Sequence, residues 1–289
     1  MPRQQFCASE IVAVGPCPPA DPIGGWRHTV EAIDLVGRKG LVVGIANEHS
    51  LAWAAAQHFR NAGAELGITY RNDKAKSFVE PLARKVDAAF ILPCNVAFAE
   101  QVDALFTAIR EKWGRLDFLF HAVAWARKDA LLGRLTDCSA ERFAEAMVVS
   151  CHSFIRMAQL AEPLMDKGGS LITLSFYGAE KVIDHYNVMG PVKAALEASV
   201  RYLAHELGPK GIRVNAISAG AIATRAASGI EHFDELLNAT AITAPLRRTV
   251  ESSEVGRTAL LLASDYTSAV TGEIVHVDSG FHIEGMAFH

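Results

Sequence analysis

The chain has 289 residues, of which 50% are hydrophobic and 21% are charged, and its formal net charge is −4. This composition excludes an intrinsically disordered chain, which needs low hydrophobicity and high net charge. A mildly acidic chain without a long basic run also argues against a nucleic-acid partner. The apolar runs are shorter than the ~20 residues that a membrane span needs, so we expect a large buried core and no membrane partner.

Two features bear on location and on where the domain begins. The five cysteines are scattered and no two of them form a C-x-x-C pair, which is typical of a cytoplasmic protein and predicts neither a disulfide framework nor a metal site. Residues 1–37 are turn-rich and lack a clear period. We therefore predict an N-terminal extension over residues 1–37, partly disordered, followed by one domain over residues 38–289.

From residue 39 onward, short apolar runs alternate with helical patterns. The predicted strands are 39–46, 65–70, 88–96, 116–124, 170–176, 212–218 and 273–277. The predicted helices are 50–62, 74–85, 100–113, 140–165, 187–207 and 253–264. This alternation predicts parallel strands joined by crossover helices, in a sheet covered on both faces. We expect an α/β fold, a single-domain Rossmann-type doubly wound sheet of about seven strands, with ligands at the carboxyl ends of the strands.

The turn after the first strand predicts a phosphate-binding site, although it lacks the G-x-G-x-x-G pattern. Gly44 permits close approach of the backbone to a ligand, and Ser50 caps a helix whose free N–H groups attract a pyrophosphate. After the second strand, Arg71 can accommodate the 2′-phosphate of NADPH and so weakly favours NADPH over NADH. After the third strand, Asn95 can accept a hydrogen bond from the adenine amino group. The alternatives are that the turn at Gly44 only connects a strand to a helix, and that Arg71 is a solvated surface charge.

Tyr186 and Lys193 form the predicted catalytic pair. Seven residues make about two helical turns, so both side chains are expected on one helix face. A nearby ammonium favours the phenolate, and both groups can donate hydrogen bonds, which suits an enolate formed by hydride transfer. A competing pair, Tyr177 and Lys181, has the spacing Tyr-x-x-x-Lys. Because Tyr177 lies at a strand end, we prefer Tyr186 and Lys193.

Several longer motifs occur in one order, namely residues 44–52, 177–180, 186–190 with Lys193, 215–220, 244–250 and 272–280. With them the sequence resembles the bacterial enoyl-acyl-carrier-protein reductases of type I, atypical members of the short-chain dehydrogenase/reductase family. The resemblance implies reduction of the trans-2 double bond of an enoyl thioester on acyl-carrier protein, with NADH or NADPH, in fatty acid biosynthesis. It also implies a homotetramer.

The resemblance further implies roles for single residues. Tyr186 would bind or protonate the enolate, and Lys193 would hold the nicotinamide ribose. The other implied cofactor contacts are Gly44, Ser50, Leu51, Asn95, Val96, Val123, Ile222 and Thr224. The other implied substrate contacts are Ala126, Phe176, Met189, Ile230 and Phe233, of which the last two lie on a substrate-binding loop and helix at 221–241.

Departures from the family pattern keep other functions open. Phe176 stands where the family usually has a second active-site tyrosine, and we expect Tyr177 to point to the opposite face. Arg225 replaces a usually apolar residue. A proline such as Pro191 costs little stability only near the start of a helix, so we predict that its helix begins near Asn187. The alternatives are a catalytically diverged NAD(P)-binding paralogue and a carbonyl-reducing short-chain dehydrogenase.

Overall fold

The apolar runs of the sequence form seven strands in a computed structural model, which describes residues 33–224 and 233–285. The strands are β1 (Lys39–Val43), β2 (Glu65–Tyr70), β3 (Phe90–Pro93), β4 (Phe118–His121), β5 (Gly169–Phe176), β6 (Ile212–Ala219) and β7 (Ile274–Val277). They pair in parallel in the order β3-β2-β1-β4-β5-β6-β7. The predicted doubly wound sheet is therefore confirmed.

Helices cover both faces of this sheet. They are α1 (Leu51–Asn61), α2 (Asp73–Lys85), α3 (Ala99–Trp113), α4 (Lys128–Leu131), α5 (Ala140–Met147), α6 (Ser153–Ala161), α7 (Met189–Leu207), α8 (Phe233–Thr243) and α9 (Ser252–Ala263). On one face Phe59 of α1 packs against Phe118 and Phe120 of β4. On the other, Phe154 of α6 and Leu196 of α7 are fully buried. Among the described residues, no helix is both long and apolar enough to span a membrane.

Two predicted boundaries changed in an informative way. The single helix predicted over 140–165 is wrong, because a π-helical turn at Val148–His152 separates α5 from α6. In this wider turn Ser150 Oγ accepts from Trp125 N–H at 2.8 Å and donates to its carbonyl at 2.9 Å. The second boundary is the start of α7 at Met189, two residues after the predicted start. Pro191 therefore lies in the first turn, where its missing N–H has no helical partner to lose.

The start of the domain lies close to the predicted boundary. The compact unit that holds the sheet begins at Ile33. Leu35 is already buried, and its N–H donates to the carbonyl of Ala62 at 2.7 Å. Residues 1–32 of the predicted extension lie outside the described residues, so its partial disorder stays a prediction.

Candidate active site

The carboxyl edge of the sheet brings most of the predicted site residues together. Neighbouring strands end at the same level, since Val43 is paired with His121 and Phe176 with Ala219. The predicted residues that end a strand or follow one at this edge are Gly44, Arg71, Asn95, Val96, Val123, Ala126, Phe176, Ile222 and Thr224. The order of the strands reverses between β1 and β4, which is where ligands bind in open sheets of this kind.

The turn between β1 and α1 forms a main-chain cradle at this point. Gly44 has a φ of +110°, and a Cβ there would overlap the carbonyl oxygen of Ala122. Ser50 is the N-cap residue of α1, but its hydroxyl faces back into the turn, where it accepts from the N–H groups of Ala46 and Asn47 at 3.0 Å. The expectation that its side chain caps α1 is therefore wrong. The first turn of α1, which begins at Leu51, has no side-chain cap, so its N–H groups fit a pyrophosphate.

The part of this edge next to β2, where the sequence predicts the adenosine, contains an unexpected aromatic contact. The Arg71 guanidinium carbon lies 5.8 Å from the centroid of the Trp125 ring. These residues follow β2 and β4, which lie on either side of β1. Asn95 is half-buried and its Oδ1 accepts from Ala97 N–H at 3.2 Å, while Val96 is buried. Sequence reasoning missed Trp125, although an aromatic residue just after an apolar strand was a visible signal.

Tyr186 lies in a turn that precedes α7. Its side chain is 8% exposed, and its ring centroid is 4.8 Å from that of Phe176 in an edge-on arrangement. The neighbouring residues His185 and Asn187 have φ values of 63° and 40°, in the left-handed region. The expectation that Tyr186 and Lys193 share one helix face is therefore wrong, because only Lys193 belongs to α7.

Burial sets the protonation states of this pair. It raises the pKa of Tyr186 well above its usual value, and the charge of Glu197 raises it further. Tyr186 is therefore a neutral phenol, the hydrogen-bond donor expected from the sequence, and the nearby Lys193 ammonium does not make it a phenolate. Lys193 is 4% exposed and its Nζ donates to the Leu174 carbonyl at 2.7 Å. Burial lowers the pKa of Lys193 to about 8, so both side chains are hydrogen-bond donors at neutral pH.

Two further buried polar residues were not predicted. His121 Nε2 lies 2.9 Å from Ser153 Oγ, and Nδ1 lies 3.1 Å from Thr173 Oγ1. Complete burial, aided by the charge of Lys193, lowers the pKa of His121 to about 3, so its ring is neutral. Glu197 lies one helical turn after Lys193 and accepts a hydrogen bond from Ser175. That i, i+4 spacing on an otherwise apolar helix face was the signal for Glu197.

The structure describes some, but not all, of the predicted substrate-binding residues. Met189 is buried in the first turn of α7, and Ala126 is buried after β4. Phe233 is half-buried at the start of α8, the helix of the predicted 221–241 segment. Arg225 and Ile230 lie outside the described residues.

The sheet order and the glycine turn at its switch point place the chain in the Rossmann-type class of dinucleotide-binding folds. Residues 44–282 match the family model described as enoyl-(acyl carrier protein) reductase, and the chain belongs to this family. It is 52% identical over 250 residues to enoyl-[acyl-carrier-protein] reductase [NADH] 1 of Rhizobium meliloti, a match that covers 86% of this chain and 92% of the relative.

Solved structures of the same family superpose closely on this chain. The enoyl-(acyl-carrier-protein) reductase of Anaplasma phagocytophilum in complex with NAD is 48% identical, with a TM-score of 0.85 and coverage of 89% of this chain and 100% of that one. The Bacillus cereus enzyme with NADP+ and an indole naphthyridinone is 43% identical, with a TM-score of 0.86 and coverage of 88% and 100%.

Proposed function

We propose that this chain reduces the trans-2 double bond of an enoyl thioester carried on acyl-carrier protein, using a reduced nicotinamide dinucleotide. The observation that carries the proposal is the buried Tyr186 side chain, packed against Phe176 at the carboxyl end of β5, where burial raises the pKa of the phenol. A phenol that stays protonated can donate a hydrogen bond to an oxygen on which negative charge develops.

The proposed cofactor site follows the sheet edge. The turn at Gly44 and the first amides of α1 would hold the pyrophosphate. Asn95 and Val96 would contact the adenine, and Lys193 would hold the nicotinamide ribose. One of the three ammonium donors of Lys193 is used on the Leu174 carbonyl. When bound, the reduced nicotinamide would supply the hydride.

In the proposed reaction, the residues of this chain would act as an acid toward the substrate. Addition of hydride to the β-carbon of the enoyl thioester moves negative charge onto the thioester oxygen. Tyr186 would donate a hydrogen bond from its O–H to that oxygen, and its raised pKa keeps the phenol protonated. A proton from solvent, added at the α-carbon, completes a saturated thioester. Phe176 would hold the Tyr186 ring by packing, without the hydroxyl usual at its position.

Three finer points are part of the proposal. A preference for NADPH rests on Arg71 alone, whereas the Rhizobium relative is named for NADH. We also propose a homotetramer, by analogy with the family. The cytoplasmic location expected from the cysteine usage stays a prediction.

The proposal is tested by mixing the purified chain with a crotonyl or longer trans-2-enoyl thioester and following NADH and NADPH oxidation at 340 nm. We expect oxidation that depends on the thioester. A chain that binds the cofactor but turns over neither one would instead be a diverged paralogue. Phe176 still motivates that alternative, whereas Pro191 no longer does, since it lies in the first turn of α7.

A further inference from the structure

The turn between β5 and Tyr186 forms the floor under the candidate catalytic ring. This turn runs through Tyr177–Ala179 to Glu180. A Cβ on Gly178 would overlap the Tyr186 ring, so the ring rests directly on the backbone of Gly178. Phe176, on the other side of Tyr177, packs edge-on against the same ring. Any displacement of this turn would therefore move Tyr186.

The other side of the same turn is fixed to the C-terminal segment. Tyr177 follows the last residue of β5, and its hydroxyl donates to the His282 carbonyl at 3.1 Å. Its ring also meets Phe281 edge-on, with centroids 5.8 Å apart. Three residues later, Glu180 Oε1 lies 2.7 Å from His276 Nε2. Two consecutive parts of the turn are thus bonded to residues that follow or belong to β7.

The C-terminal segment is itself well held. The buried carboxylate of Asp278 accepts from the N–H groups of Gly280 at 2.9 Å and His282 at 2.8 Å. It also lies 2.9 Å from Nδ1 of His282. The rings of His276 and His282 are stacked, with centroids 3.9 Å apart. The partners of Tyr177 and Glu180 therefore belong to one connected group.

We propose that Tyr177, Glu180 and His276 are positioning residues for the reaction. Together they tie the Gly178 backbone to the C-terminal segment and so fix the floor beneath Tyr186. Tyr186 needs this support because it lies outside α7 and between two residues in left-handed conformations. Small misplacements of reacting groups can lower rates by large factors. The inference rests on the proposed function, since it takes Tyr186 as the acid.

The kinetic test compares His276→Ala, His276→Gln and Tyr177→Phe with the wild-type chain. We expect kcat to fall about tenfold in His276→Ala and about threefold in Tyr177→Phe. The Kd for NADH and the KM for the enoyl thioester should change by less than about twofold. His276→Gln keeps a side-chain N–H that can reach Glu180 and should recover most of kcat. Tyr202→Phe, at a tyrosine that is 72% exposed on α7, is the matched control.

A second readout does not depend on turnover. In protein labelled with 3-fluorotyrosine, the five tyrosine resonances can be followed by 19F NMR, and the one lost in Tyr186→Phe is that of Tyr186. We expect this resonance to shift or broaden in His276→Ala and to be restored in His276→Gln, with no change in Tyr202→Phe.

The outcomes separate the two proposals. An unchanged Tyr186 resonance in His276→Ala overturns the positioning role, whether or not the wild-type chain is active. So does a loss of NADH affinity and thermal stability that parallels the loss of kcat, since that is general damage. If the Tyr186 resonance shifts in His276→Ala but the wild-type chain reduces no enoyl thioester, the positioning of Tyr186 by this turn is supported and the proposed function is overturned.

Discussion

The two sides of the crevice use their polar groups differently. On the side proposed for the adenosine, Arg71 is exposed, Asn95 is half-buried and the proposed pyrophosphate cradle is made of main chain at Gly44. On the side of β4, β5 and α7, the buried titratable side chains include His121, Tyr186, Lys193 and Glu197, and burial raises the pKa of Tyr186 and lowers that of Lys193. The first side is suited to bind a ligand by shape and backbone amides. The second is suited to fix which groups carry protons.

Among changes on the buried side, Tyr186→Phe should have the largest effect on activity. It removes the phenol hydroxyl and leaves the ring that packs on Phe176, so the fold and the cofactor site should persist. We expect kcat to fall by about 100-fold or more, with little change in the Kd for NADH. Steady-state kinetics and calorimetric titration with NADH measure the two effects. An unchanged kcat would remove Tyr186 from the mechanism.

On the side of Arg71, Asn95 and the Gly44 cradle, Gly44→Ala should have the largest effect. The new Cβ would meet the Ala122 carbonyl at a positive φ, so the turn must move and the cradle opens. We expect the affinities for NADH and NADPH to fall together by about tenfold or more. Gly114→Ala is the matched control, because its φ is +66° but no atom lies within 4 Å of the added Cβ. It should cost about 1–2 kcal/mol of unfolding free energy without affecting the cofactor. Equal cofactor affinity in the two variants would contradict the cradle.

The sheet and its carboxyl edge could be predicted from the sequence, whereas the details of the buried side could not. The sheet was predictable because apolar strand runs and helical periods are local patterns, and the site edge followed from the strand order. The position of Tyr186 was not, because its seven-residue spacing to Lys193 fits two turns of one helix, whereas Tyr186 lies in a turn between the left-handed residues His185 and Asn187 before α7 begins. Its protonation state was not either, since its raised pKa comes first from the burial of Tyr186 in the folded chain and second from the charge of Glu197.

The buried side also predicts a pH dependence. Lys193 carries its charge below a pKa of about 8 and loses it as the pH rises through that value. If the ammonium holds the nicotinamide ribose, NADH affinity should be constant below pH 7 and fall by up to about tenfold per pH unit above pH 8. Lys193→Met should bind NADH more weakly at every pH and lack this decline. A flat profile in the wild-type chain up to pH 10 would contradict a charged role.

His121 predicts an effect on stability rather than on cofactor binding. Its folded-state pKa of about 3 lies below the value of about 6.5 in the unfolded chain, so below pH 6.5 the unfolded state binds a proton that the folded state excludes. The unfolding free energy should therefore fall with decreasing pH by up to about 1.4 kcal/mol per unit. Measured by urea unfolding, the unfolding free energy of His121→Gln should fall less steeply between pH 6.5 and 4 than that of the wild-type chain. The same slope in both proteins would mean that His121 is not held neutral.

The smallest effect is expected at the exposed Arg71. Arg71→Gln should weaken NADPH binding about two- to fivefold more than NADH binding, as exposed charges contribute little. Trp125→Leu tests whether the contact between the two side chains matters, since it frees the guanidinium. Calorimetric titration with both cofactors measures the ratio. Equal weakening of NADH and NADPH in Arg71→Gln would leave Arg71 as an ordinary surface charge.

The proposed enoyl reduction is tested most directly by following the transferred hydrogen. The purified chain is mixed with a crotonyl thioester and NADH carrying deuterium at the nicotinamide C4, and the product is examined by mass spectrometry and NMR. The account predicts a butyryl thioester with one deuterium on the β-carbon and a solvent proton on the α-carbon. Deuterium on a carbon derived from a carbonyl group, or an unlabelled crotonyl thioester recovered despite bound cofactor, would contradict it.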